Sequence, residues 1–347
     1  MNNRYIFNIH GTLVWLDSAS QSLQKAMSHQ LEYFRVANND DLEFDVIIRD
    51  YSAKPNINKC RVASDYYYFH DGLLDIPDHK LCFDLAGICH HYYLDNFVLP
   101  VNLIIQLAIQ RKGKTLVHSA AISYGGESVL FPALGGIGKT TIVSHAMQEG
   151  GSLYGDDMCI VDAKANLYPY PIDFSVYHYH YKLLGIDRSP KRKILSVAAD
   201  ILKIFDQAPV VSWFTRRLRG KFFPECENIS PLLIYGEDRI APVSKMDRLI
   251  YIGRHKNLGE QTIVGEVTDE IVADKITSIL LSEWKDSLGF LQVYSAFSDN
   301  FSYLEMCKNI HNIAYEAASK TVLADISIDS NVENKKYIKL LWQFLWS

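Results

Sequence analysis

The sequence predicts a mixed α/β protein in two parts: a small α+β unit over residues 1–112 and an α/β part over residues 113–347. Two observations carry this. Residues 114–134, "KTLVHSAAISYGGESVLFPAL", read as two apolar strands joined by the turn "YGGE". The run "GGIGKT" (135–140) then leads into an amphipathic stretch, "KTTIVSHAMQEG", and a further strand, "MCIVDA". Strand, glycine loop, helix, strand is the setting in which such a loop holds phosphate.

The first part opens with "YIFNIHGTLVW" (5–15), a strand or two, and later "EFDVIIR" (43–49). Both are rich in the β-branched and aromatic residues that strands favour. Between them, "SASQSLQKAMSHQLEYF" has apolar residues at helical spacing. "YYYFHDGLLDIPDHKLCFDL" (66–85) predicts two strands about the turn "DIPDHK", and "LPVNLIIQLAIQRKG" (99–113) a buried helix ended by Gly113. In the second part, the helix after the loop presents Ile142, Val143, Ala146 and Met147 on one face and ends at Gly150 and Gly151. "LIYIGR", "QTIVGEV" and "TVLADISI" predict strands, and helices fall near 270–284 and 303–318.

Composition narrows the class. In 347 residues, 35 Lys and Arg face 40 Asp and Glu, for a net charge of -5. That balance argues against general nucleic-acid binding. The six cysteines are scattered with no C-x-x-C pair, which fits reduced thiols better than a disulfide frame or a zinc site. The N-terminus lacks a signal-peptide pattern, and "FVLPVNLIIQLAIQ" is too short and polar for a transmembrane segment. The expectation is a cytoplasmic protein, and a homo-oligomer is compatible with it.

The loop follows G-x-x-x-x-G-K-[ST] with one departure: Ala133 stands in the first glycine's position. Glycines let successive backbone N–H groups turn inward at a helix N-terminus, where the helix dipole also favours an anion. Gly135, Gly136, Ile137, Gly138, Lys139, Thr140 and Thr141 are the expected nucleotide-binding residues. Lys139 would reach the β- and γ-phosphates, and the Thr140 hydroxyl would bind Mg²⁺. Alanine fits the first position only if its φ is negative. An ordinary strand-to-helix turn is the alternative.

Asp156 and Asp157, in "YGDDMCIVD", lie 17 and 18 residues after Lys139. Paired carboxylates beside such a loop suit phosphoryl transfer, one holding Mg²⁺ and the other taking a proton from an attacking hydroxyl. The alternative is an acidic turn. His118 precedes Lys139 by 21 residues, on the strand before the loop. It is either a site residue or a satisfied core histidine.

"VHSAAI", "GGIGKTT" and "GDD" together resemble the catalytic domain of HPr kinase/phosphorylase and its HPr-kinase-like relatives. These share a His-containing strand, a G-I-G-K-[ST] loop and a paired Asp at this spacing. The resemblance covers residues 116–162, roughly one-seventh of the chain. It implies a P-loop kinase core related in fold to ATP-dependent phosphoenolpyruvate carboxykinase. It also implies Lys139 on phosphates, Thr140 on Mg²⁺, Asp157 as proton acceptor, Asp156 as its acidic neighbour and His118 as the active-site His. The arginine–glycine signature and Mg²⁺-binding Glu of true HPr kinases are not found. At the comparable distance stands "YPYPIDFSVYHYHYKLLGI", whose proline pair is similar to HPr-kinase-like relatives from peptide-tailoring and surface-polysaccharide gene clusters.

Three further features have plainer readings. His178 and His180 alternate with tyrosines on one strand face but lack a partner ligand at useful spacing. Arg216, Arg217, Arg219 and Lys221 suit an anionic substrate, a membrane surface or a solvated helix end. Arg248 and Arg254 flank "LIYIG", and spacing selects neither for a phosphate. The functional expectation is an ATP-dependent phosphotransferase (a kinase) using Mg²⁺ and a hydroxyl acceptor on a peptide, a protein or a sugar-derived small molecule. The alternative is a non-catalytic nucleotide-binding regulatory partner of a peptide-tailoring or surface-polysaccharide system. A decarboxylating phosphotransferase ranks below both, because its metal-binding Lys and His pattern is not apparent.

Overall fold

The computed structural model describes residues 4–38, 42–57, 60–63, 66–177, 181, 184, 226–259, 262–332 and 334–346. His178 and His180, and the Arg216–Lys221 cluster, lie outside the described residues. The fold is mixed α/β, with two large mixed sheets and helices against them.

The first sheet comprises β1 (Arg4–Ile9), β2 (Thr12–Asp17), β3 (Arg35–Val36), β4 (Val46–Asp50), β5 (Arg61–Ala63), β6 (Tyr67–His70), β7 (Leu73–Ile76), β8 (Leu81–Asp84) and β9 (His90–Leu94). Their order is β3-β1-β2-β4-β9-β8-β7-β6-β5. Helix α1 (Gln21–Leu31) starts at Ser20, whose hydroxyl accepts from the Leu23 amide, and buries Leu23, Met27 and Leu31 at helical spacing. Helix α2 (Val101–Gln110) is buried almost all round. Its one central polar side chain, Gln106, is satisfied by accepting from the Leu116 amide at 2.8 Å.

One expectation is corrected here. Residues 66–85 form three strands, not two, because the backbone also reverses at Asp71 and Gly72. Both have positive φ, 48° and 84°, the geometry an Asp-Gly two-residue hairpin turn supplies.

The second sheet comprises β10 (Lys114–Tyr124), β11 (Glu127–Pro132), β12 (Ser152–Gly155), β13 (Met158–Asp162) and β14 (Asn166–Tyr168). A separate pair, β15 (Phe174–Tyr177) and β16 (Cys226–Ile229), follows; β17 (Ser244–Lys245), β18 (Arg248–His255), β19 (Thr262–Gly265) and β20 (Val322–Asp329) complete the second sheet. Its order is β17-β14-β13-β10-β11-β18-β20-β19, with β12 also on β10. Strands β11, β18 and β20 run parallel, so their carboxyl ends share one edge of the fold.

Among the described residues the later helices are α3 (Lys139–Gln148), the short α4 (Pro231–Tyr235), α5 (Asp269–Glu283), α6 (Lys285–Phe297), α7 (Tyr303–Ala318) and α8 (Asn334–Trp346). Residues of α3 and α8 pack with Ala120, Ile122 and Phe131 on one face. Residues of α5 and α7 pack with Val117, Ala121 and Leu130 on the other. Covered on both faces, β10 reads as a continuous apolar run instead of an alternation. Burying each such Leu or Ile contributes about 1.5–3 kcal/mol.

A further buried cluster joins the first sheet and α2 to Leu116, Met158, α6 and α7. Tyr294 of α6 ties into it: its hydroxyl donates to the Gly72 carbonyl (2.6 Å) and accepts from the Leu85 amide (2.8 Å). No helix among the described residues is long and apolar enough to cross a membrane.

Candidate functional site

Strand β11 ends at Pro132, and the chain turns through 133–138 before α3 begins at Lys139. Ala133 is fully buried and is not among the residues with positive φ, so the departure from the glycine pattern falls where an L side chain fits. Gly138 could not be replaced in this way. Its φ is 110°, and a Cβ on it would stand 3.0 Å from the Tyr337 ring. Open space faces Gly135 and Gly136, where an added Cβ would meet nothing within 4 Å. None of the amides of 134–138 donates to a group among the described residues. A glycine-rich run of undonated amides leading into a helix N-terminus is a setting that suits an anion.

Beside the loop stand the residues the sequence singled out. Lys139 is buried, and its Nζ donates to the carbonyls of Ala133 (2.9 Å) and Leu134 (3.4 Å). Burial lowers its pKa, while Asp157, Asp156 and Glu283 push it back up. Thr140 Oγ1 donates to Asp156 Oδ2 at 2.7 Å. Thr141, one position on, is buried, and its amide donates to the Gly138 carbonyl.

The two carboxylates sit in different surroundings. Asp156 is buried, and desolvation pushes its pKa up to about 7, further raised by Asp157 and opposed by the Thr140 hydrogen bond and Lys139. Its second oxygen, Oδ1, is buried without a hydrogen-bond partner. The Asp157 side chain is 50% exposed. That contrast separates a group held against the loop from one that an incoming molecule can reach.

Gly155 brings this pair to the loop. Strands β12 and β13 both pair antiparallel with β10, and Asp156 and Asp157 form the bend between them, anchored where the Ser119 amide donates to the Asp157 carbonyl (3.2 Å). A Cβ on Gly155 would collide with the Met158 carbonyl oxygen, with Cys159 Sγ 3.0 Å and the Tyr170 carbonyl 3.2 Å away. Gly155→Ala is therefore expected to cost about 1–3 kcal/mol, as overpacking does, and to shift both carboxylates. Denaturant unfolding reads the cost, and a Gly155→Ala protein as stable as its parent would remove this account of the bend.

His118 points into the same cluster from β10. Its Nδ1 lies 3.0 Å from Glu283 Oε1 and its Nε2 lies 3.5 Å from Asp157 Oδ1, though neither nitrogen makes a well-directed hydrogen bond. Burial, then Lys139, lowers its pKa to about 4 against the pull of Asp157. Burial thus favours the neutral imidazole.

Two residues join that sequence reasoning did not select. Glu283 arrives at the C-terminal end of α5, and burial, then Asp157, raises its pKa. Its distance along the chain left no spacing to read. Arg254 donates from Nε to the Ile137 carbonyl (3.1 Å), and its guanidinium lies 4.5 Å from the centre of the Tyr337 ring. Arg248, the other arginine flanking β18, turns to Glu127 (3.6 Å) and the Leu345 carbonyl (2.5 Å). Only the fold separates the two.

The unpartnered Asp156 Oδ1 beside the Thr140 hydroxyl suits a hard cation such as Mg²⁺. Among the described residues, no group of three or more His, Cys, Asp or Glu side chains has the arrangement to hold a metal by itself. No protein-family model matches the chain, and no curated protein sequence matches it.

Proposed function

We propose that the protein is an ATP-dependent phosphotransferase with a P-loop kinase core, related to the HPr-kinase-like type. The reading is supported by one observation above all. Lys139, Thr140, Asp156, Asp157 and His118 cluster at the N-terminus of α3, beside a loop whose 134–138 amides donate to no group among the described residues.

In this reading the 134–138 amides of the 133–141 loop and Lys139 bind the phosphates of ATP. Thr140 and Asp156 hold Mg²⁺, which when bound screens phosphate charge. Asp157, the more exposed carboxylate, takes the proton from the acceptor hydroxyl as that oxygen bonds to the γ-phosphorus and ADP leaves. His118, neutral and beside Asp157, orients the carboxylate and the acceptor. Arg254 fixes the loop through Ile137. The acceptor is a hydroxyl on a peptide, a protein or a sugar-derived small molecule, and the reaction is cytoplasmic.

The test is transfer of label from γ-labelled ATP in Mg²⁺ to panels of serine peptides and sugar derivatives. Labelled product supports the kinase. ATP binding with neither product nor hydrolysis would move the assignment to a non-catalytic nucleotide-binding regulator.

A further inference from the structure

A cavity of about 500 Å³ opens beside the loop, on the side away from Asp157. Its size lies within the roughly 300–1,000 Å³ of ligand pockets. Cavities of about 530 Å³ at Arg61 and Asn300 and about 520 Å³ at Lys164 and Lys320 touch neither the loop nor its acidic residues. This one is walled by Leu134 and Ile137 of the loop itself.

Its floor is the sheet. Two rows of paired residues cross β18, β20 and β19: Tyr251–Asp325–Gly265 and Gly253–Ser327–Ile263. Neither glycine has positive φ, so the backbone does not demand them. Gly265 supplies room, since a Cβ on it meets nothing nearer than 3.9 Å, whereas a Cβ on Gly253 would stand 3.1 Å from the His255 ring. Leu134 and Ile263 at the rim are each 48% exposed, apolar surface of the kind a flat ring covers. Lys275 of α5, 2.7 Å from Asp325 and 3.8 Å from the centre of the Tyr251 ring, closes one side.

The sheet order gives the direction. Strand β11 feeds the loop; β10, β12 and β13, with His118 and the two aspartates, lie on one side of it, and β18, β20 and β19 on the other. A nucleotide with its transferred phosphoryl beside Asp157 has its other end toward the cavity, which sits by the carboxyl ends of parallel strands, where open α/β sheets bind ligands.

We infer that this cavity is the nucleoside subsite: the base of ATP lies over Gly265 between Leu134 and Ile263, bordered by the His255 ring, with Asp325 and Ser327 facing its hydrogen-bonding edge. The inference rests on the loop reading above, and the two fail differently. Calorimetry in Mg²⁺ on the full chain compares ATP with tripolyphosphate, which has no base, for the parent, Gly265→Leu, and Gly265→Val as the variant that suits a strand. Filling the floor is expected to weaken ATP at least ~10-fold, the worth of about 1.4 kcal/mol, and to leave tripolyphosphate unchanged. Unchanged affinity for both ligands puts the base elsewhere and overturns the inference while the loop reading stands. Equal weakening of both means the substitution acts through the loop, which also overturns it. A parent that binds neither ligand sinks the loop reading and the subsite together.

Discussion

Asp157→Asn is expected to lower phosphoryl transfer by roughly 10²–10⁴-fold, the usual worth of a general base, while ATP binds as before. Asparagine keeps the volume and a hydrogen-bonding oxygen but cannot accept the proton. The Asp157 side chain is 50% exposed, so the change in stability should stay within the ~0.5 kcal/mol typical of surface substitutions. That separates a lost base from a damaged fold. Its charge also reaches its neighbours: Asp157 raises the pKa of Asp156, Glu283 and Lys139. Removing it makes Asp156 easier to ionise, so the requirement for Mg²⁺ should not increase. Asp156→Asn should do the reverse, raising that requirement, because it removes the carboxylate beside Thr140. Single-turnover transfer with labelled ATP, alongside calorimetric binding, reads these effects. Transfer at the parental rate in Asp157→Asn would take Asp157 out of the mechanism.

What could be read from the sequence was local. Residues 127–162 carry their own signals: an apolar strand, glycines where φ turns positive at 136 and 138, an amphipathic helix, and a strand after Gly-Asp-Asp. Helices α5 and α7 were legible within a residue of their ends. Strand β9 was missed because it lies between β4 and β8, and "HHYYL" shows no alternation to find. Helix α8 also carries a signal, since Tyr337, Ile338, Leu341 and Leu345 are buried at helical spacing. The division between α5 and α6 falls at Trp284 with no Gly or Pro to mark it. Glu283, Arg254 and Tyr337 reach the loop only through tertiary packing, which brings residues far apart in the chain to within 3–5 Å. Composition and periodicity do not encode such contacts.

Lys139→Met is expected to remove most ATP affinity without unfolding the protein. Methionine retains an unbranched, apolar stem of similar length, so the packing around this buried side chain survives. The ammonium is lost, and with it charge-assisted hydrogen bonds to phosphate worth about 1.5–3 kcal/mol. That corresponds to roughly 10–100-fold weaker binding. Two opposing effects act on the ligand-free protein. The Ala133 and Leu134 carbonyls lose their donor, and Asp156, Asp157 and Glu283 lose a nearby cation. Against that, a cation that burial disfavours is no longer desolvated. Asp156 can hold its proton more tightly in response, because Lys139 is one of the groups that keep its pKa down. The ligand-free melting temperature should therefore change little. The change belongs in the ligand response: a ligand at 100 times its Kd stabilises a fold by about 2.7 kcal/mol, and Lys139→Met should lose most of that for ATP and for tripolyphosphate alike. Loss for both ligands marks a phosphate contact, in contrast to a substitution on the cavity floor, which should affect ATP alone. Equal ATP affinity in parent and Lys139→Met would show that the loop does not bind the phosphates, whatever the Gly265 variants do.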